Sequence, residues 1–201
     1  YLLVYFIFLV GLFFIFFNRD NNFSITLFSL ISSISNIGFS LNTNIQNNFI
    51  FIILVIIGGS LVSTSSGLRF LKIYLLTKFS FNELVSHSKP KHILLNKILF
   101  SNVKVDTNDI SKYFFTVIIF ILSLTLIVSL LTLFNIKFDD AFKLGVLTLM
   151  NTVNSNLYGL GNINFIEFSA SLKFILILFM IIGRIEFISI LILIKKFVFK
   201  N

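Results

Sequence analysis

The chain has 201 residues, 57% of them hydrophobic, and a mean hydropathy of +1.00, more apolar surface than a soluble domain of this size can bury. Charged residues make up 12% and lie between apolar runs, so the net charge of +8 follows the positive-inside pattern of membrane loops, and no nucleic-acid partner is expected. Cysteine is absent, which excludes disulfides and thiolate metal sites.

The sequence starts at Tyr1 inside an apolar run, with no basic segment before it and no cleavage motif after it. A fragment cut from a longer protein is expected. Residues 1–17 fit one membrane span, ended by the polar run Asn18-Arg19-Asp20-Asn21-Asn22. Residues 23–34 are apolar with interspersed Ser and Thr. As a helix they reach only ~18 Å, too short for a hydrocarbon core of ~30 Å. A re-entrant helix is the expectation. Ser35, Asn36, Ile37, Gly38 and Phe39 follow it, then an uncharged loop over 41–48.

Residues 49–79 form a second long apolar stretch with a flaw. The ten residues 58–67 hold three Gly, four Ser and one Thr, all poor helix formers. A small-residue packing face needs fewer of them. Non-helical backbone at membrane depth is tolerated where it is buried in protein or lines a wet cavity, so a loop within the cavity is the preferred reading. Residues 80–111 are the sizeable polar stretch, with Lys89, Lys91, Lys97 and Lys104. His87 and His92 lie there without companions at ligand spacing. No catalytic motif appears, so an enzyme is not expected.

Residues 112–134 make the next full span. Residues 138–152 are again short and helix-like, with Asp139 or Asp140 as candidate N-caps. A Gly- and Asn-bearing loop covers 153–161, and 168–199 is the last long span. Within it, Gly183-Arg184-Ile185-Glu186 puts two charges where each costs ~2.5–3.5 kcal/mol. Arg184 and Glu186 stand two apart on a helix, so each needs its own partner or a polar cavity.

Span, short helix, polar Gly loop and span thus occur twice. Ile56-Ile57-Gly58 recurs as Ile181-Ile182-Gly183 (183 − 58 = 125), and Gly38 precedes Gly159 by 121. The expected fold is an all-α membrane protein of two span–pore helix–span units, 1–80 and 112–201, joined by a cytoplasmic linker, 81–111. Lysine excess sets the linker and the C-terminus inside. Both short helices then dip in from outside. Carbonyl oxygens of an extended Gly-containing loop can replace an ion's hydration shell, and Ser35–Phe39 fits that use. An ordinary polar hairpin is the plainer alternative.

Three motifs, in this order and separation, resemble the C-terminal half of a Trk/Ktr-type potassium transporter membrane subunit, the TrkH family. Ser35-Asn36-Ile37-Gly38-Phe39-Ser40 resembles its third filter segment. Gly58-Gly59-Ser60-Leu61-Val62-Ser63-Thr64-Ser65-Ser66-Gly67-Leu68-Arg69 resembles its glycine-rich stretch, with Val62, Ser65 and Ser66 where the family usually has Gly. Gly183-Arg184-Ile185-Glu186 resembles its closing motif. The resemblance implies the third and fourth of four repeats in a potassium-channel-like transporter that takes up a monovalent cation, K⁺, across the bacterial inner membrane. It implies an ion filter at Ser35, Asn36, Ile37, Gly38 and Phe39, and at Asn154, Ser155, Asn156, Leu157, Tyr158 and Gly159. The register of the second set stays open between Leu157 and Gly159 in the filter-glycine position. K⁺ would be held at these residues and nowhere else, as the transported ion and not as a cofactor.

The resemblance also implies a gating loop of Ser60, Val62, Ser63, Thr64, Ser65, Ser66 and Gly67 below the filter, with Arg184 beside it as an electrostatic barrier. The implied partners are the missing N-terminal half, a second copy in a homodimer, and a cytoplasmic nucleotide-binding regulatory subunit of the TrkA type, all at a lipid bilayer. Two other readings compete. A secondary transporter with discontinuous helices would have inverted repeats. A non-transporting structural subunit would leave the duplicated loop and Arg184 without a purpose.

Overall fold

The computed structural model describes residues 4, 6–8, 10–12, 23–39, 48–59, 68–88, 107–152, 156–160 and 163–184. Among them the fold is all helical. In chain order the helices are α1 (Phe23–Ile34), α2 (Asn48–Ile57), α3 (Phe70–Ser88), α4 (Thr107–Leu133), α5 (Phe138–Met150) and α6 (Ala170–Arg184). Single 3₁₀ turns cover Asn156–Tyr158 and Phe165–Glu167. The described residues at 4, 6–8 and 10–12 are also helical, and Phe6 meets the Phe70 ring at 4.9 Å.

Within α4, Ile110–Leu133 is long and apolar enough to cross a membrane. Its inward face buries Phe120, Ile127, Val128 and Leu131, while Phe114, Ile121, Leu122 and Leu126 face outward and exposed. A helix apolar on every side suits lipid, not water. Hydroxyls on α4 turn back onto their own backbone: Ser123 donates to the Phe120 carbonyl and Thr125 to that of Leu122. The helix thereby presents few unmet polar groups to an apolar surrounding.

The short helix α5 is the hub, since α2, α4 and α6 all pack on it. Its residues from Leu144 to Met150 are all buried. Gly145 permits the close approach of α4, because a Cβ there would stand 3.1 Å from Ile127 Cγ2 and 3.3 Å from Val128 Cγ2. The start of α5 differs from the sequence expectation. Its N-cap is Lys137, with no side-chain cap bond. Asp139 instead pairs with Lys143 at 2.6 Å, one turn on. Both aspartates still sit in the first turn, where the positive end of the helix dipole favours them. The helix α3 also runs on to Ser88, past the point where the sequence turns polar.

The seam between α4 and α5 gives a stability test. Ile127 is fully buried against Gly145, so Ile127→Ala should cost about 2–5 kcal/mol. Ile121, on the outer face, is exposed. Thermal unfolding in detergent should show a clear drop in Tm for Ile127→Ala and little change for Ile121→Ala.

Candidate functional site

Both short helices stop in the same way. Asn36 (φ 59°) follows α1, and Asn151 (φ 54°) follows α5, each in the left-handed region. Asn36 N–H donates to the Ser33 carbonyl and Ile37 N–H to that of Ser32, at 3.2 and 3.0 Å. Asn151 N–H donates to Thr148 and Thr152 N–H to Leu147, also at 3.2 and 3.0 Å. This double bond pattern satisfies carbonyls that a helix end would otherwise orphan. Asparagine tolerates the left-handed conformation better than most residues.

Neither helix carries a basic residue in its last turn. The negative ends of both dipoles are thus unscreened by their own side chains, which favours a cation just beyond them. Counted from the caps, the two segments correspond at an offset of 115 (151 − 36). Gly38 follows its cap by two residues and Gly159 by eight (38 − 36; 159 − 151). The two glycines are therefore not equivalent in this register. Val153, outside the described residues, takes the place that matches Gly38.

Around the first cap, Ser35 Oγ donates to the Ile31 carbonyl at 2.7 Å, and Ser29 and Ser33 donate back to Ile25 and Ser29. Asn36 is buried, Gly38 is buried with φ 86°, and Ile37 and Phe39 are exposed. Around the second, Leu157 and Tyr158 lie enclosed in the 3₁₀ turn that Asn156 opens, packed on α2. Gly159 is exposed with φ 75°. Asn154 and Ser155 lie outside the described residues. The Tyr158 hydroxyl reaches the Ser33 side chain. Ser33 gives its own hydrogen to the Ser29 carbonyl at 2.8 Å, so toward the phenol its oxygen can only accept; among the described residues the phenol has no partner closer or better aligned. Through this contact the last turn of α1 and the segment after α5 meet.

The proposed gating residues Ser60, Val62, Ser63, Thr64, Ser65, Ser66 and Gly67 lie outside the described residues. Their flanks are described. Helix α2 ends where Gly58 turns to φ 68°. The chain then returns to the same place, with Leu68 N–H on the Ile56 carbonyl at 3.4 Å and Phe70 N–H on that of Gly59 at 3.1 Å. The ends of the segment are thus tied to one another. Arg184 is exposed at the end of α6; Glu186 lies outside the described residues.

Two features escaped the sequence reading. Lys72, on α3, is buried with its ammonium 5.8 Å from the Tyr113 ring centre; a lysine inside the apolar run that resumes after residue 67 was the available signal. Asn151 Nδ2 donates to the Met180 carbonyl on α6 at 2.8 Å, a contact between distant positions that no local pattern announces. Behind the second cap, α5, α6 and Phe165 line a partly open cavity of about 410 Å³, walled by apolar side chains with Thr148 and Thr152.

Tyr158 yields a prediction. A buried phenol without a hydrogen bond gains nothing from its oxygen. Tyr158→Phe should leave the Tm unchanged or raised, whereas Tyr158→Ala should cost about 3–5 kcal/mol by opening a cavity beneath the segment.

No protein-family model matches the sequence, and no curated protein sequence matches it. Among solved structures, the crystal structure of the potassium transporter TrkH from Vibrio parahaemolyticus matches with a TM-score of 0.79 and 21% identity over 93% of this chain. The chain spans 41% of the length of that protein. The all-helical fold described above is therefore TrkH-like.

Proposed function

We propose that this chain is a membrane-embedded portion of a channel-like potassium transporter, built as two span–pore helix–span repeats in one orientation. The observation that carries the reading is the pair of short helices with matching left-handed asparagine caps. Each points an uncompensated negative end at the segment that follows it. Carbonyl oxygens after such a helix can stand in for the hydration shell of a monovalent cation. The TrkH-like fold supports the same reading.

In this account Ser35–Phe39 supplies one part of a filter, and the segment beginning at Thr152 and running to Gly159 supplies another. The segment 60–67 acts as the intramembrane gate, and Arg184 raises the barrier for cations beside it. A complementary portion completes the pathway, because two repeats enclose only part of it. By the same likeness, the completed protein dimerises in the inner membrane and answers to a cytoplasmic nucleotide-binding subunit.

Gly38 provides the test. An alanine held at φ 86° is strained by roughly 1–2 kcal/mol. Expressed within the full-length protein, the wild-type chain should restore growth at limiting K⁺ to a bacterium lacking K⁺ uptake. Gly38→Ala should insert normally but cut rubidium uptake sharply. Failure of the wild type to restore growth would contradict transport. Unimpaired uptake by Gly38→Ala would contradict the filter assignment.

A further inference from the structure

We infer that Gly183 and Asn151 are positioning residues that lock the second filter segment to the last helix and so set its discrimination between cations. The inference rests on the transport reading above. A Cβ added at Gly183 would overlap the Leu149 carbonyl oxygen and crowd the rest of that peptide unit. The backbone of α6 therefore lies directly on the backbone of the last turn of α5. The hydrogen that replaces Cβ points at the Leu149 oxygen, the arrangement of a weak Cα–H···O contact.

Three residues earlier on the same face of α6, the Met180 carbonyl accepts the Asn151 side chain at 2.8 Å. Asn151 is also the cap that ends α5. One residue thus terminates the short helix and ties its end to α6. The two contacts, at Leu149 and Asn151, fix the height and rotation from which Thr152 and its successors depart. They also fix Arg184, which follows Gly183 directly and rises only ~1.5 Å further along the axis. Filter segment and barrier charge are held as one unit.

The glycine is required here for a reason unlike that of its sequence counterpart. In Ile56-Ile57-Gly58 the glycine takes φ 68° and ends the helix. In Ile181-Ile182-Gly183 it stays helical, and what matters is the missing side chain.

The experiment measures the ratio of K⁺ to Na⁺ flux in proteoliposomes holding the full-length protein. Gly183→Ala inserts the clashing methyl. Asn151→Gly keeps the left-handed cap but deletes the bond to Met180, so it separates cap from tie. Gly145→Ala, on the face of α5 turned to α4, is the packing control, since its methyl would crowd the Ile127 and Val128 side chains and not the backbone of α6. Both test variants should shift the flux ratio by about tenfold toward unity, or ~1.4 kcal/mol of lost discrimination, and Gly145→Ala should keep the wild-type ratio. If Gly183→Ala does not fold, Asn151→Gly alone decides. A wild-type ratio in Asn151→Gly, or an equal loss in Gly145→Ala, would overturn the inference while leaving transport intact. A wild-type protein that passes no cation would overturn the transport reading, and this inference with it.

Discussion

A helix that ends within an apolar surrounding must dispose of its last carbonyl groups, because no water is there to take them. Among the described residues that constraint is met three times, at the ends of α1, α4 and α5, by an asparagine in the left-handed conformation (Asn36, Asn135, Asn151), whose own N–H and that of the next residue fold back on the helix. Most of the architecture depends on this solution. It closes the helices of 12 and 13 residues as it closes the 27-residue α4. It turns the following backbone out of helical geometry, so that its carbonyls become available to something else. It also leaves the negative end of each helix aimed at that backbone.

The packing around these caps is uneven. Helix α5 is held on three sides, by α2, α4 and α6. Two of its contacts use glycine in different ways. Gly145 makes room for the Ile127 and Val128 side chains of α4, while Gly183 on α6 admits the carbonyl of Leu149 itself. The contact of Tyr158 with Ser33 joins the two caps into one region. The buried Tyr158 ring supplies volume there, packed between α1 and α2.

Much of the fold was legible because long apolar runs are set off sharply from short polar ones in this sequence. Span length and polar interruption located α1, α4 and α5 to within a few residues, and the glycine run marked the end of α2 at Ile57. The errors were local. The aspartates of α5 suggested caps, but Lys143 one turn on offered Asp139 a better partner. The polar residues after position 80 suggested a loop, yet Glu83 is exposed and Asn82 and Ser86 are half-buried on a helix, and α3 continues. The segment after α5 was hardest. Its visible glycine, Gly159, follows the cap by eight residues, whereas Gly38 follows by two, so matching glycine to glycine gave an offset different from that of the caps. A tyrosine in a glycine-bearing loop also looks exposed in sequence, and only the packing on α2 buries it. The tie from Asn151 to Met180 spans 29 residues, beyond the reach of any periodic pattern.

The account stands or falls on whether the two repeats share one orientation. These 201 residues contain no cysteine, and any cysteine elsewhere in the full-length protein would first be replaced by serine. Phe39 lies after the first cap, Ile166 after the second segment, and Phe81 on α3; all three side chains are exposed. Each would be replaced in turn by cysteine in the full-length protein and treated with a membrane-impermeant thiol reagent on intact cells and on inverted vesicles. Labelling of Phe39→Cys and Ile166→Cys from outside, with Phe81→Cys reached only from inside, is the expected result. Labelling of Phe39→Cys and Ile166→Cys from opposite sides would mean inverted repeats, and would contradict the account.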